Sequence, residues 1–507
     1  MLRQGSIVSA MTLLSRVLGF VRDVVLAGFI GATGLADAFF VAFRIPNFFR
    51  RLFAEGAFSQ AFVPVLMRYR DQGGDELRRF VAVMGGNLTV ALFLLVLFGV
   101  LFAPAVTALF APGFRDDPRF DVAADLLRIT FPYIGFISLV AFSAAILNAH
   151  QRYAAAAFTP VLLNVVMIGS VLISTQYLGG TIEALAWGVF IAGVVQWLFL
   201  LPSLRSVHLL VVPTPSLAHP GARQVGKLLV PAVLAASVGQ INALIDSVLA
   251  SMIETGSVSW LYYADRLLEL PIGLVAVALG TVLLPNLSRL DARGQRDAFA
   301  RLVDWGLGLG VLLALPAAIA LYVLAVPLLA TLFLHGEMRE YDIRMTALAL
   351  QAFSVGLVPM VLAKVLAPAF FAQQDTRTPF RIAMVAVGTN IAVNLLVFRW
   401  FGHVGLAFGT TLSAFVNAGL LWHMLVRRGI WEPAHVFRRL SGRALIAASV
   451  MASMLVFLSP GDARWLEVDI PTRVLWISAV CGGGLAVYVL ILRLAGIRPR
   501  DLVHPAA

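Results

Sequence analysis

Two scarcities bound this chain of 507 residues before any motif is read. It has one cysteine, Cys481, so no disulfide can form within it. Charged residues make up only 13%, about half the usual share of a soluble domain, while hydrophobic residues reach 60% and the mean hydropathy is +0.90. The chain also lacks a basic tract interleaved with aromatics outside its apolar segments, which argues against nucleic acid as a partner. Its eight histidines are scattered without metal-ligand spacing. The stretch Gly221 to Leu228 mimics a phosphate-binding loop, but Leu228 stands where such a loop needs Ser or Thr, and no strand precedes it. A membrane enzyme acting on polyprenyl phosphates would need an acidic metal-binding motif on a cytoplasmic loop, and none is present.

What remains is a succession of apolar runs, each long enough to cross a hydrocarbon core of about 30 Å. Fourteen are read: about 8–30, 36–66, 81–111, 122–149, 156–178, 183–203, 226–253, 260–287, 303–333, 346–371, 380–398, 404–426, 441–459 and 474–495. The first is not read as a cleavable signal, because Arg16, Arg22 and Asp23 interrupt it. Connections such as 67–80, 204–225 and 427–440 are plain loops, too short for a water-soluble domain. The sequence thus predicts an all-α polytopic membrane protein of fourteen transmembrane helices.

With the N-terminus inside, 23 basic residues fall in inner segments and 7 in outer ones, which places both termini in the cytoplasm. The net charge of +11 is therefore largely topology.

The two halves look alike. Pro64-Val65-Leu66-Met67-Arg68 is matched by Pro285-Asn286-Leu287-Ser288-Arg289, 221 residues on, and the turn from Asn148 to Pro160 by that from Ala372 to Pro379, shifted by 219. This predicts two six-helix repeats of the same orientation, with substrate expected in a central cavity between them. The expected division is 1–222, a lobe of six helices; 223–430, a second such lobe; and 431–507, two additional helices and a short tail.

Six arginines lie within or at the edge of apolar segments: Arg16, Arg22, Arg44, Arg50, Arg51 and Arg266. A charge at bilayer depth is costly unless it faces a bundle interior or a wet cavity, so each is a candidate functional residue. A guanidinium is also well shaped to grip phosphate through paired hydrogen bonds. In the second span Arg44, Asn47, Arg51 and Glu55 follow steps of three, four and four and form one polar stripe. Either Arg50 and Arg51 snorkel to an interface while Glu55 pairs locally, or the stripe faces a cavity; charge in the equivalent segment of the other half favours the cavity. Pro46 and Gly56 predict a kink or break there. In the equivalent segment Asp265, Arg266 and Glu269 are placed to form an ion-pair network, either fixed or opening with conformation. Arg16 and Arg22 are about 120° apart around a helix, so a straight helix would not aim both at one point; Gly19 could allow a bend, and Arg22 could instead pair with Asp23. Asp246, Asn390, Asn394, Thr410 and Thr411 offer oxygens for a coupling Na⁺, although Asn pairs also join transmembrane helices by hydrogen bonds. Membrane potential acting on the arginines is the rival drive, at about 2.3 kcal/mol per charge per 100 mV.

The strings Ser15 to Asp23, Asp37 to Asn47, Arg50 to Pro64 and Ser257 to Arg266 closely resemble the MurJ (MviN) lipid II flippases, within the multidrug/oligosaccharidyl-lipid/polysaccharide exporter superfamily. The resemblance implies a V-shaped central cavity opening toward the cytoplasm, and a groove for a long lipid tail on the two extra helices. It implies export of undecaprenyl-pyrophosphate disaccharide-pentapeptide (lipid II) from the inner to the outer leaflet of a bacterial cytoplasmic membrane by alternating access. Cell wall synthesis would consume that cargo, and association with its machinery and with membrane lipids would follow. It also implies cargo-binding roles for Arg16, Arg22, Arg50 and Arg266, gate or cavity roles for Asp37 and Glu269, and no resident cofactor beyond Na⁺ in some members. An exporter of drugs or polysaccharide lipids with the same fold is the alternative, with fewer cavity arginines expected for cationic drugs.

Overall fold

The computed structural model describes residues 2–52, 58–177 and 179–498, and among them every regular element is helical. Two compact units are present, 1–259 and 260–507.

The first unit begins with α1 (Leu2–Ile30) and α2 (Gly34–Leu52). It continues with α3 (Phe58–Gln72), α4 (Gly74–Leu101), the short α5 (Ala103–Phe110), α6 (Arg119–Thr130) and α7 (Tyr133–Ala149). It closes with α8 (Tyr153–Tyr177), α9 (Glu183–Ser206) and α10 (Pro220–Ser251), while α11 (Ser257–Ala292) straddles the boundary. Helix α1 packs on α8, and α8 on α9. Helix α10, grouped by the sequence division with residues 223–430, packs on α3 and α2.

The second unit holds α12 (Arg296–Val323), α13 (Ala325–Phe333), α14 (Glu340–Val355), α15 (Leu357–Ala372), α16 (Arg377–Arg427), α17 (His435–Leu458), the single turn and a half of α18 (Asp462–Glu467), and α19 (Ile470–Leu494). Here α17 lies along α12, and α19 along α17.

Helix occupies each of the fourteen expected segments. Among the described residues, eight helical segments are long and apolar enough to cross a membrane, with α6 and α7 counted together as one, and nine if the bent pair α14–α15 counts as one span. Several segments are interrupted rather than continuous. Phe102 separates α4 from α5, Leu324 separates α12 from α13, and Gly356 marks a 40° bend between α14 and α15. Helix α16 covers two expected spans, which part at Gly402, whose φ of 56° only glycine adopts without strain. In the second segment Pro46 lies inside α2, and the segment is divided between α2 and α3; Glu55 and Gly56 lie outside the described residues.

The backbone itself carries the repeat. Left-handed residues pair across the two units at a nearly constant spacing: Gly31 with Gly256, Gly73 with Gly294, Gln151 with Gln374, Gly180 with Gly402, and His208 with Gly429. The two glutamines, both with φ of 60°, are telling, because a non-glycine residue seldom adopts that conformation. The breaks agree as well: Phe102 has φ −102° and ψ 24°, and Leu324 has φ −101° and ψ 25°.

Candidate functional site: arginines inside apolar segments

The arginines of the first unit differ sharply in environment. Arg16 is exposed on α1, whereas Arg22, six residues later, is 4% exposed and Asp23 is fully buried. This is the angular separation that the helical period demands. Arg22 donates to Asp23 Oδ1 from Nε at 3.0 Å and Nη2 at 2.7 Å, and to Asn164 Oδ1 on α8 from Nη1 at 3.1 Å. Its guanidinium also lies 5.8 Å from the ring of Phe43. Asn164 in turn donates to the carbonyl of Ser15 at 3.0 Å, which ties α8 to α1. Gly19 faces that asparagine, and a Cβ there would sit 3.5 Å from its Nδ2, in ordinary contact. Around this buried guanidinium an adjacent carboxylate and an amide oxygen take the place of water.

On α2, Arg44 donates to Ser247 on α10, and Arg50 Nε donates to Asn47 Oδ1 at 3.0 Å. The stripe predicted from spacing therefore includes Arg44 and Asn47 bonded to different partners, and Arg50 joins it through Asn47. Glu55 and the side chain of Arg51 lie outside what is described.

Asp37, near the start of α2, is fully buried and accepts four hydrogen bonds. Gly256 N lies at 2.7 Å, Ser259 N at 3.0 Å, Ser259 Oγ at 2.6 Å and Arg119 Nη1 at 3.3 Å. Arg119 also pairs with Asp117 at 2.9 Å and lies 4.4 Å over Phe114. Sequence reasoning counted Arg119 among the outer topogenic charges and missed this role, along with Asn164 and Ser247. The repeat could have exposed it. Counting 223 on from Asp37 and Arg119 gives Trp260 and Asp342, and in the second unit Trp260 Nε1 donates to Asp342 Oδ1 at 3.0 Å. The same polar contact recurs with its acidic partner moved to the other helix.

In the second unit Arg266 donates to Glu269 Oε2 at 2.9 Å, one turn along α11. Both are partly exposed, at 27% and 42%, and Asp265 is exposed. A pair so placed adds only tenths of a kcal/mol to stability. The buried amides of α16 form a chain: Asn394 Nδ2 donates to Asn390 Oδ1 at 3.0 Å, and Asn390 Nδ2 to Thr410 Oγ1 at 3.2 Å. Thr411 donates to the carbonyl of Ala352 at 2.7 Å. These bonds join the two arms of α16 to each other and to α14, as expected of polar glue in a membrane bundle. Asp246 is half-buried on α10 in the first unit. Among the described residues no group of three or more His, Cys, Asp or Glu side chains is placed to hold a metal ion.

Comparison with known proteins covers nearly the whole chain. A family model described as lipid II flippase MurJ matches residues 26–475. The probable lipid II flippase MurJ of Vibrio cholerae is 45% identical over 99% of this chain and 97% of its own length, and the lipid II flippase MurJ of Burkholderia cenocepacia is 42% identical over 88% of each. Among solved structures, a lipid II flippase MurJ in an inward closed conformation superposes with a TM-score of 0.81 at 27% identity, covering 98% of this chain and 99% of that one. An inward-facing multidrug-resistance transporter of the MATE family shares the fold at 17% identity and a TM-score of 0.66. With arginines set into apolar helices, a duplicated helical backbone and relatives matched end to end, the chain belongs to the MurJ family of lipid II flippases.

Proposed function

We propose that the protein carries lipid II across a bacterial cytoplasmic membrane by alternating exposure of its arginines to the two sides, with both chain termini in the cytoplasm. It is a transporter and catalyses no covalent step. The observation that carries this reading is the set of guanidiniums on α1 and α2, which sit inside apolar segments of a chain whose relatives over its full length are named for that cargo. The diphosphate is the doubly charged part of the cargo, and planar forks in a low-dielectric setting hold it by charge-assisted hydrogen bonds. Arg16, Arg22, Arg50 and Arg266 are assigned to that contact, with Arg44 and Arg51 in support. Asp23, Asp37, Asp265 and Glu269, with Asn47 and Glu55, act as partners that compete with cargo for the guanidiniums, since a cavity that held the diphosphate unopposed would not release it. The apolar tail stays in lipid along the two C-terminal helices.

The test replaces Arg16, Arg22, Arg50 or Arg266 singly with alanine, verifies membrane insertion, and follows lipid II movement in proteoliposomes. Loss of transport in these variants is expected; wild-type rates in all four would end the diphosphate reading. Coupling to Na⁺ belongs to the same proposal, with Asp246 on α10 and the amide and hydroxyl oxygens of Asn390, Asn394, Thr410 and Thr411 as candidate oxygen sources. Transport that rises with sodium and loses that rise in Asp246→Ala supports it, and indifference to sodium removes it. Association with the cell wall synthesis machinery follows from the same role, because those enzymes consume the product.

A further inference from the structure

Three arginines and a histidine gather at the first turns of α17, in the second unit. A cavity of about 370 Å³ is lined there by Pro433, Ala434, His435, Arg438, Arg439 and Arg443. Among the described residues no carboxylate lines it; Glu432 precedes the lining segment. Arg443 Nη1 is buried and, among the described residues, has no hydrogen-bond partner. A buried cationic donor left unmade is expensive, and a bound anion would satisfy it. Two of the amides at the head of α17 are already engaged. Asp304 of α12 takes Ala434 N at 2.9 Å and Phe437 N at 2.8 Å, together with Trp431 Nε1 at 3.2 Å. The charge offered to an anion in the cup comes from the guanidiniums that line it.

A second cavity begins where the cup ends. Arg439 Nη2 donates to the carbonyl of Gly496, and a Cβ on Gly496 would lie 3.8 Å from Arg443 Nη1. The next residues, Ile497 and Arg498, line a groove of about 460 Å³ walled mainly by apolar side chains of α12, α17 and α19. Along α19 its lining runs from Cys481 to Arg493, roughly 18 Å at 1.5 Å per residue. That exceeds the roughly 15 Å of one leaflet. A phospholipid acyl chain is confined to its own leaflet, whereas a long polyprenyl chain is not. The charge points the same way: three guanidiniums and an imidazole are more than a phosphodiester needs, and suit a diphosphate.

We propose that this cup is a docking site for the diphosphate of a polyprenyl-linked cargo, engaged while the tail lies in the adjoining groove and before the headgroup reaches the arginines of α1 and α2. The inference rests on the lipid II reading above and adds to it a first station on the entry side.

The test uses the full-length protein in phosphatidylcholine vesicles. Arg438→Gln and Arg439→Gln, both at exposed positions, are made singly and together, and then with Arg443→Gln, alongside Arg266→Ala as a comparator. Removing two charged contacts is expected to raise the lipid II concentration for half-maximal transport by roughly tenfold or more while the maximal rate holds. Arg266→Ala should instead lower the maximal rate. Inorganic pyrophosphate added on the cup side should compete in the wild type and lose its effect in the double variant, a readout that does not depend on the triple variant folding. An unchanged half-maximal concentration with unchanged pyrophosphate competition would overturn the proposal. So would equal loss of bound phosphatidylglycerol and bound lipid II by native mass spectrometry, which would make the cup a general anionic-lipid site. A wild-type protein that moves no lipid II would bring down the functional reading instead.

Discussion

Substituting Asp23 by alanine is expected to be among the most damaging changes in the first unit. Its carboxylate is fully buried, and the Arg22 side chain is 5% exposed, so water cannot take the place of a lost partner. Breaking a buried pair from one side costs about 3–5 kcal/mol, because the remaining charge stays desolvated. Asn164→Ala removes one bond to the guanidinium and the tie to Ser15, and should cost about 1.5–3 kcal/mol. Arg22→Met combined with Asp23→Leu removes both charges and should recover most of the loss of Asp23→Ala. Each variant is read by denaturant titration in mixed micelles, followed by tryptophan fluorescence and analysed as a double-mutant cycle. Transport is measured in parallel: the double apolar variant should fold yet move no lipid II, which separates the structural role of the pair from the role of Arg22 toward cargo. If Asp23→Ala costs less than about 1 kcal/mol, or if the double variant loses the sum of the two single changes, burial does not couple these charges and the reasoning is refuted.

Other changes probe the rest of the framework. Asp304→Ala strands three donors at the head of α17 and should destabilise by about 3 kcal/mol or more, with Asp304→Asn losing less; trypsin cleavage in the 428–435 connection would report the detached helix. Gly113→Ala would put a Cβ 2.2 Å from the Ser251 carbonyl oxygen, a backbone atom that cannot swing aside, and should cost about 1–3 kcal/mol in the same titration. Between α15 and α16, the Thr378 hydroxyl donating to Asp375, and then the Arg428 guanidinium beside it, hold that carboxyl well below the usual carboxylate range. Its contribution to stability is therefore complete above the unfolded carboxylate pKa of about 3.9 and is lost as pH falls below that, so Asp375→Asn should flatten the acid limb of a stability–pH curve. His219 has its pKa lowered, chiefly by burial and then by Arg79, and its Nδ1 accepts from Gly221 N at 3.1 Å, which requires the neutral ring. Its stabilising effect is present above about pH 6.5 and falls as pH drops through the window below, a slope that His219→Gln should remove.

Much of this was legible in the residues because a bilayer leaves few choices. Backbone groups in hydrocarbon must be satisfied within a segment, so a chain with this density of apolar runs has to be helical. Its turns at Gln151 and Gln374 already stood at matching places in the sequence. Helical period alone separated Arg16 from Arg22, and the exposed and buried environments of the two follow from it. Span ends were less legible. The break at Phe102 and its counterpart at Leu324 lie inside apolar runs with no change in hydropathy, since a helix can stop in mid-run when a neighbour takes up the freed groups.

Partners were the part that local patterns could not supply. Spacing set Arg44, Asn47 and Arg51 on one face, but Ser247 reaches Arg44 from 203 residues away and Asn164 reaches Arg22 from 142. Arg119 reads as an outer loop charge until it is found against Asp37, and Arg439 and Arg443 read as ordinary inner-face charges until the turn after α19 brings Gly496 beside them. Sequence by itself determined the helical membrane class, the duplication and the presence of costly charge within it, because these follow from hydropathy and period along one segment. Tertiary structure alone decided which charges are neutralised and which are left facing a cavity, because that depends on side chains brought together from distant helices.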